Sequence, residues 1–235
     1  MAIYSPFRAP AIFLIEAFFE QLWGFKPNFI RPFIHQKGAV RSLFWCGKNM
    51  LKYEGTLEKW SPLRTHLSAM TVSALNACPY TVFGHALAVE LLYLKQTGRL
   101  FPLTEGDLVQ LCGRSEEEIM SALEQALIEA DLSSEILGLY RLVELRRSPE
   151  MAATEQDRDW VHLNRMFATL NTSAVKSRVS QDQAHDSINK DRGMRDRYFT
   201  QRKTERLQPA FASQSDTIVL NPADTTDWAE VSRLN

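Results

Sequence analysis

Residues 72–85 read Val72-Ser73-Ala74-Leu75-Asn76-Ala77-Cys78-Pro79-Tyr80-Thr81-Val82-Phe83-Gly84-His85. This stretch contains the end of one apolar segment and the start of the next, with a cysteine at the junction. Pro79 suits the first turn of a helix, and His85 follows Cys78 by seven residues, which is two helical turns. We therefore predict a helix that begins at Pro79 and carries Cys78, Thr81 and His85 on one face.

The junction is the part of the chain that indicates chemistry. A thiol at a helix N-terminus lies near unpaired backbone N–H groups and the positive end of the helix dipole, and both favour the thiolate. A nearby imidazole can take or return the proton. Cys78 and His85 are therefore candidate catalytic residues. The ordinary alternative is a buried, inert cysteine and a hydrogen-bonded structural histidine.

Length and composition indicate one ordinary globular protein. The chain has 235 residues, of which 45% are hydrophobic and 23% are charged, and its net charge is -1. This balance gives no reason to expect nucleic acid or a membrane surface as a partner. The apolar run 9–23 is shorter than the roughly 20 residues of a membrane span and contains two glutamates. No basic segment precedes this run, so we expect a cytoplasmic protein.

The three cysteines do not form a recognisable framework. Cys46, Cys78 and Cys112 lie far apart, without the spacing of a disulfide scaffold or a zinc module. A zinc site built from His66, Cys78 and His85 would lack a fourth ligand. We therefore expect no resident metal and no cofactor.

Helical periodicity runs through most of the chain. Apolar residues recur at helical spacing in the segments 9–23, 29–53, 60–77, 79–98, 104–113, 116–130, 135–147 and 159–179. Gly38 is a predicted break and Gly55 a predicted stop, and Ser61, Thr104 and Ser115 are predicted N-caps. Since no run of alternating residues indicates a strand, the predicted fold class is all-α.

The run from Ser73 to Tyr80, followed by His85, resembles the signature of the carboxymuconolactone decarboxylase and alkylhydroperoxidase D superfamily. Its peroxidase branch carries Cys-x-x-Cys-x-x-x-His, in which the second cysteine attacks the peroxide. The branch also places a glutamate, the outer member of a proton relay, twelve residues before the first cysteine. Here Thr81 stands in place of the second cysteine and His66 in place of the glutamate. The resemblance covers roughly residues 25–147 and implies an alkylhydroperoxidase D-like helical bundle that forms homo-oligomers.

Three functions are compatible with this resemblance. The first is a thiol oxidoreductase that reduces a peroxide through Cys78, with His85 as proton partner and His66 as outer relay. It would need an external thiol as reductant, because the partner cysteine within the motif is absent. The second is a decarboxylase-like lyase or isomerase in which His85 acts as acid or base on a small lactone or carboxylate, with Arg64 as carboxylate anchor. The third is a non-catalytic oligomer that binds a partner. The other candidate substrate contacts are Thr81 and Tyr80.

The sequence divides into three parts. Residues 1–24 are interpreted as an N-terminal apolar helix, residues 25–150 as the helical domain and residues 151–235 as a charged C-terminal extension, partly helical or disordered. Within the extension, residues 181–206 are rich in charged and amide side chains and have few apolar anchors. That composition is typical of a solvated helix or a disordered segment.

Overall fold

The chain is all-α in the computed structural model, which describes residues 8–215 and the side chains of residues 8–206; no strand occurs among them. The helices are α1 (Arg8–Trp23), α2 (Ile30–Lys37), α3 (Ala39–Lys59), α4 (Pro62–Leu75), α5 (Pro79–Thr97), α6 (Glu105–Gln110), α7 (Glu116–Glu129), α8 (Ile136–Arg147), α9 (Glu155–Lys176) and α10 (Arg192–Ser215). Three short 3-10 segments lie between them, at Ser133–Glu135, Pro149–Met151 and Ser187–Lys190.

Most predicted helix ends are confirmed. Gly38 separates α2 from α3 with φ of +83°, a conformation that glycine adopts without steric cost. The Ser61 side chain caps α4, and Thr104 and Ser115 form capping boxes at α6 and α7. The predicted stop at Gly55 is wrong, because α3 continues to Lys59. A helical glycine costs only about 1 kcal/mol relative to alanine, which the packing of α3 outweighs.

Helices α4 and α5 pack against each other, and α9 packs on α4. Most residues of α4 and α5 are buried, including polar residues on both. A helix that is apolar nearly all round is expected in a core, so these two segments hold the site residues away from water.

The segment after residue 150 is more ordered than its charge suggested. Helix α9 matches the predicted amphipathic segment 159–179 and packs on α2, α4 and α8. Residues 184–186 and 188–189 are buried, although this stretch was expected to be solvated. The chain divides into two compact units, and the larger one runs through residue 198. Much of the predicted C-terminal extension therefore belongs to the same compact unit as α4 and α5.

No helix within residues 8–215 combines the length and the hydropathy that a membrane crossing requires.

Candidate functional site

Cys78 lies at the N-cap of α5, as the sequence predicted, but it is not activated there. Its thiol is buried, and its Sγ lies 3.3 Å from Oγ1 of Thr81. Burial raises the pKa of Cys78, and the hydrogen bonds from Thr81 and Tyr80 offset only part of that effect. The desolvation of the thiolate therefore outweighs the helix N-terminus, and the sulfur stays protonated at neutral pH.

The other two thiols are also protonated. Burial raises the pKa of Cys46 to about 12 and that of Cys112 to about 11, and the nearby Cys78 contributes to the latter shift. No disulfide joins any of the three cysteines.

The structure brings His66 and His85 together across the contact between α4 and α5. Their Nδ1 atoms are 2.9 Å apart, and both side chains are buried. The Tyr53 hydroxyl lies 3.2 Å from the same nitrogen of His66. Among the described residues no hydrogen bond joins Cys78 to His85, so the imidazole's partner is His66 rather than the thiol.

Asp186 continues this chain of contacts on the far side of His66. Its Oδ2 lies 2.9 Å from Nε2 of His66, while its Oδ1 accepts the backbone N–H of Ile188 at 2.6 Å and so caps the short helix Ser187–Lys190. Burial alone would raise the pKa of Asp186, but the interaction with His66 and the hydrogen bond from the backbone N–H of Ile188 hold it below its ordinary value. Asp186 is therefore an ionised acceptor.

The ionised carboxylate of Asp186 determines which ring nitrogens of His66 and His85 carry protons. Because Asp186 can only accept, Nε2 of His66 carries a proton. When His66 carries only this proton, its Nδ1 atom is an acceptor, and the nearer of its two contacts, Nδ1 of His85, donates to it. This arrangement leaves Nε2 of His85 with a free lone pair. Burial, followed by the neighbouring His66 and His185, lowers the pKa of His85 well below its ordinary value, so its resting form is a neutral base.

A second histidine, His185, faces His85. The two ring centroids are 5.2 Å apart and the rings are nearly perpendicular. Nε2 of His185 lies 3.1 Å from Oδ1 of Asp182, whose Oδ2 accepts the Tyr80 hydroxyl at 2.9 Å. The backbone N–H of His185 donates to the carbonyl oxygen of Gly84 at 3.0 Å, which ties this segment to α5.

An enclosed cavity lies between the histidines. The cavity volume is about 10 Å³, which is enough for one water molecule or a molecule only slightly larger. The lining is mostly apolar and contains no lysine or arginine; it consists of Trp23, Phe29, Met50, Tyr53, Thr81, His85, Met166, Phe167, Leu170 and His185. A buried carboxylate would find no cationic partner there, so the cavity suits a neutral molecule.

Of the other predicted site residues, only Thr81 lines the cavity. Thr81 lines the cavity and contacts Cys78, whereas Cys78 itself does not line it. Tyr80 orients Asp182 instead of facing the cavity. Arg64 makes two hydrogen bonds to Glu135, at 2.6 and 2.9 Å, and is not brought to the cavity.

Three functional candidates were not identified from the sequence: Asp182, His185 and Asp186. All three lie within residues 182–186, in the pattern Asp-x-x-His-Asp. They were missed because the surrounding charged segment was predicted to be solvated. Histidine and aspartate are residue types that carry acid–base chemistry, but only the fold shows that this segment reaches α4 and α5.

Glu54 gives the site a pH dependence that stability measurements can detect. Burial and the negative charge of Asp186 raise the pKa of Glu54 from 4.5 to about 7. Between those values the folded chain holds a proton that the unfolded chain has lost, so stability falls as pH rises across this window. We expect Glu54→Gln to remove this fall, as measured by urea unfolding at about pH 5 and about pH 7.5. Glu58→Gln, an exposed change one turn along α3, is the control; equal slopes in the wild type and Glu54→Gln would contradict the expectation.

No protein-family model matches the chain, and no curated protein or solved structure is significantly similar to it. Among the described residues, no three His, Cys, Asp or Glu side chains are grouped in a way that could hold a metal ion. The likeness to the carboxymuconolactone decarboxylase and alkylhydroperoxidase D superfamily therefore rests on the residues around Cys78 alone.

Proposed function

We propose that this chain is an acid–base enzyme of the decarboxylase-like kind, which shifts a proton between two carbons of a small neutral lactone. The proposal rests on the hydrogen-bonded series Asp186–His66–His85, which we call the relay. The relay ends at the imidazole of His85, which lines a mostly apolar cavity. A neutral imidazole is the form of histidine that accepts a proton, and the second imidazole and the carboxylate can stabilise the positive charge that results. We also propose that the helices form the alkylhydroperoxidase D-like bundle that the superfamily implies.

The reaction needs no redox step. Nε2 of His85 takes the proton from the carbon next to the lactone carbonyl, and the C–H electron pair moves into a conjugated enolate. The positive charge on His85 is relayed to His66, where the Asp186 carboxylate stabilises it. The Thr81 hydroxyl, which lines the same cavity, donates to the enolate oxygen. His85 then returns the proton to the far end of the conjugated system, so that substrate and product are isomers.

The closed cavity sets a condition on substrate entry. A five-membered lactone is larger than the space between the histidines, so side chains must move to admit it. Met50 and Met166 line the cavity, and unbranched methionine side chains change rotamer at low cost. The absence of a cation from the lining favours a neutral lactone over a carboxylate, which leaves Arg64 without a role in binding.

One contact supports the thiol oxidoreductase as a second candidate. Thr81 touches the Cys78 sulfur and also lines the cavity, so a displacement of this one side chain would expose the sulfur to a peroxide. The raised pKa of Cys78 opposes this function, because the thiolate is the reactive form.

Two assays separate these functions. The first follows the isomerisation of α-angelica lactone to its conjugated isomer by ultraviolet absorption, and the second follows reduction of cumene hydroperoxide with dithiothreitol as the external thiol. We expect His85→Gln to lower lactone isomerisation by roughly 10²- to 10⁴-fold, the usual contribution of a general base. Cys78→Ser should leave it unchanged. His35→Gln, which alters an exposed histidine on α2, is the matched control.

Two other outcomes would favour a different function. Peroxide reduction that disappears in Cys78→Ser, together with lactone activity that persists in His85→Gln, would favour the oxidoreductase. Failure of the unaltered chain to act on either probe would contradict both enzymes and favour a non-catalytic oligomer.

A further inference from the structure

A second cavity lies where the end of α8 and the middle of α9 meet the turn between α4 and α5. Its volume is about 350 Å³, and none of its lining residues lines the histidine cavity. Sites for small molecules usually measure roughly 300–1,000 Å³. The lining contains no acidic residue, and its polar members are Asn76, Arg146, Arg147, Asn164 and Arg165. We call this cavity the arginine cleft.

Two of the three arginines have no carboxylate partner. Arg146 donates only to neutral oxygens, the carbonyl of Leu75 and Oδ1 of Asn76, each at 3.3 Å. Arg165 is exposed, and its side chain makes no hydrogen bond or ion pair within the described residues. Arg147 differs, because it pairs with Glu116. The cleft therefore carries positive charge that the surrounding side chains do not neutralise.

Two amides also line the cleft, but their unpaired atoms do not face it. Asn76 accepts from Arg146 through Oδ1, and Asn164 donates from Nδ2 to the carbonyl of Leu142. The Nδ2 group of Asn76 and the Oδ1 atom of Asn164 are buried and have no partner among the described residues, so they are screened from the open cleft. The arginines therefore supply the charged contacts that a ligand in the cleft would meet.

We propose that the arginine cleft binds a small organic anion, such as a carboxylate or a sugar phosphate. Arg165 and Arg146, which line the cleft without a carboxylate partner, bind the anionic group. The concave shape and the size of the cleft fit a small molecule rather than the extended backbone of a nucleic acid.

The proposal can be tested by titration calorimetry on the full chain, with citrate and glycerol 3-phosphate as separate probes. The two arms distinguish carboxylate from phosphate recognition, and saturable binding of either at one site per chain is the expected result. Arg165→Gln should weaken that binding by about tenfold or more, because it removes a charge-assisted contact. Arg41→Gln removes an equal charge from an exposed position on α3 and should change the affinity less than about twofold.

Two results would overturn the proposal. One is the absence of saturable binding of both probes up to about 10 mM, since weaker affinity would not indicate a built site. The other is equal weakening by Arg165→Gln and Arg41→Gln, which would indicate diffuse attraction to surface charge. Circular dichroism of each variant establishes that the fold is retained. Since the cleft shares no residue with the histidine cavity, neither result bears on the lactone isomerase.

Discussion

Replacing Gly84 by alanine is expected to lower the free energy of unfolding by about 1–3 kcal/mol, the usual cost of overpacking a well-filled core. A methyl group at this position of α5 would lie 2.5 Å from three ring atoms of His185, so it would meet the face of the ring. The ring has little freedom to withdraw. It stacks on Trp23 with the planes 10° apart, and it is also held by Asp182.

The matched control is another helical glycine in the same chain. A Cβ at Gly47, in the interior of α3, would meet nothing within 4 Å. Gly47→Ala should therefore stabilise the protein by about 0.5–1 kcal/mol, because it restricts the unfolded backbone without steric cost. Urea unfolding of both variants measures the two effects. Stabilisation by Gly84→Ala as well as by Gly47→Ala would mean that His185 does not pack on Gly84.

The sequence predicted the helical scaffold well because its signals are local. A cap such as Ser61, Thr104 or Ser115 and a break such as Gly38 act within one turn of the chain, so each can be recognised from neighbouring residues. Gly55 shows the limit of this reasoning. Its weak helix propensity is also a local signal, but the packing of α3 against α1 and α2 decides the outcome.

The site was harder to predict because its members are far apart in the sequence. The sequence correctly predicted a helix that begins at Pro79, directly after Cys78. The partner of His85, however, is His66 on another helix, and the partner of His66 lies 120 positions further along the chain. Hydropathy also misled the interpretation of residues 184–189, because polar side chains that satisfy one another can be buried. Only the packing of this segment against α1 and α5 brings Asp186 to His66.

Asp186→Asn is expected to reverse the proton order along the relay. An asparagine at this position can donate from its amide group to Nε2 of His66, whereas the carboxylate can only accept. If His66 accepts there, its Nδ1 carries the proton and donates to Nδ1 of His85. His85 would then hold its own proton on Nε2, the nitrogen left without a partner, and could no longer act as a base.

The histidine tautomers report this change without any substrate. Nitrogen-15 NMR of histidine-labelled protein distinguishes a protonated ring nitrogen from an unprotonated one. In the unaltered chain we expect the Nδ1 of His85 to be protonated and its Nε2 to be bare, and in Asp186→Asn we expect the opposite. Asp182→Asn makes the same substitution in the same segment but faces His185, so it should leave the tautomer of His85 unchanged.

The same substitution links the relay to catalysis. If His85 is the base of a lactone isomerase, Asp186→Asn should lower turnover by about 10²- to 10⁴-fold, because the reactive nitrogen is blocked and the relayed positive charge loses its counter-ion. The fold should survive, since asparagine has the shape of aspartate and keeps a hydrogen bond to His66. If the tautomer of His85 were unchanged in Asp186→Asn, Asp186 would not determine which nitrogen of His85 carries the proton. The relay would then not include Asp186. A reversed tautomer with full activity would instead retain the relay and remove His85 from the reaction.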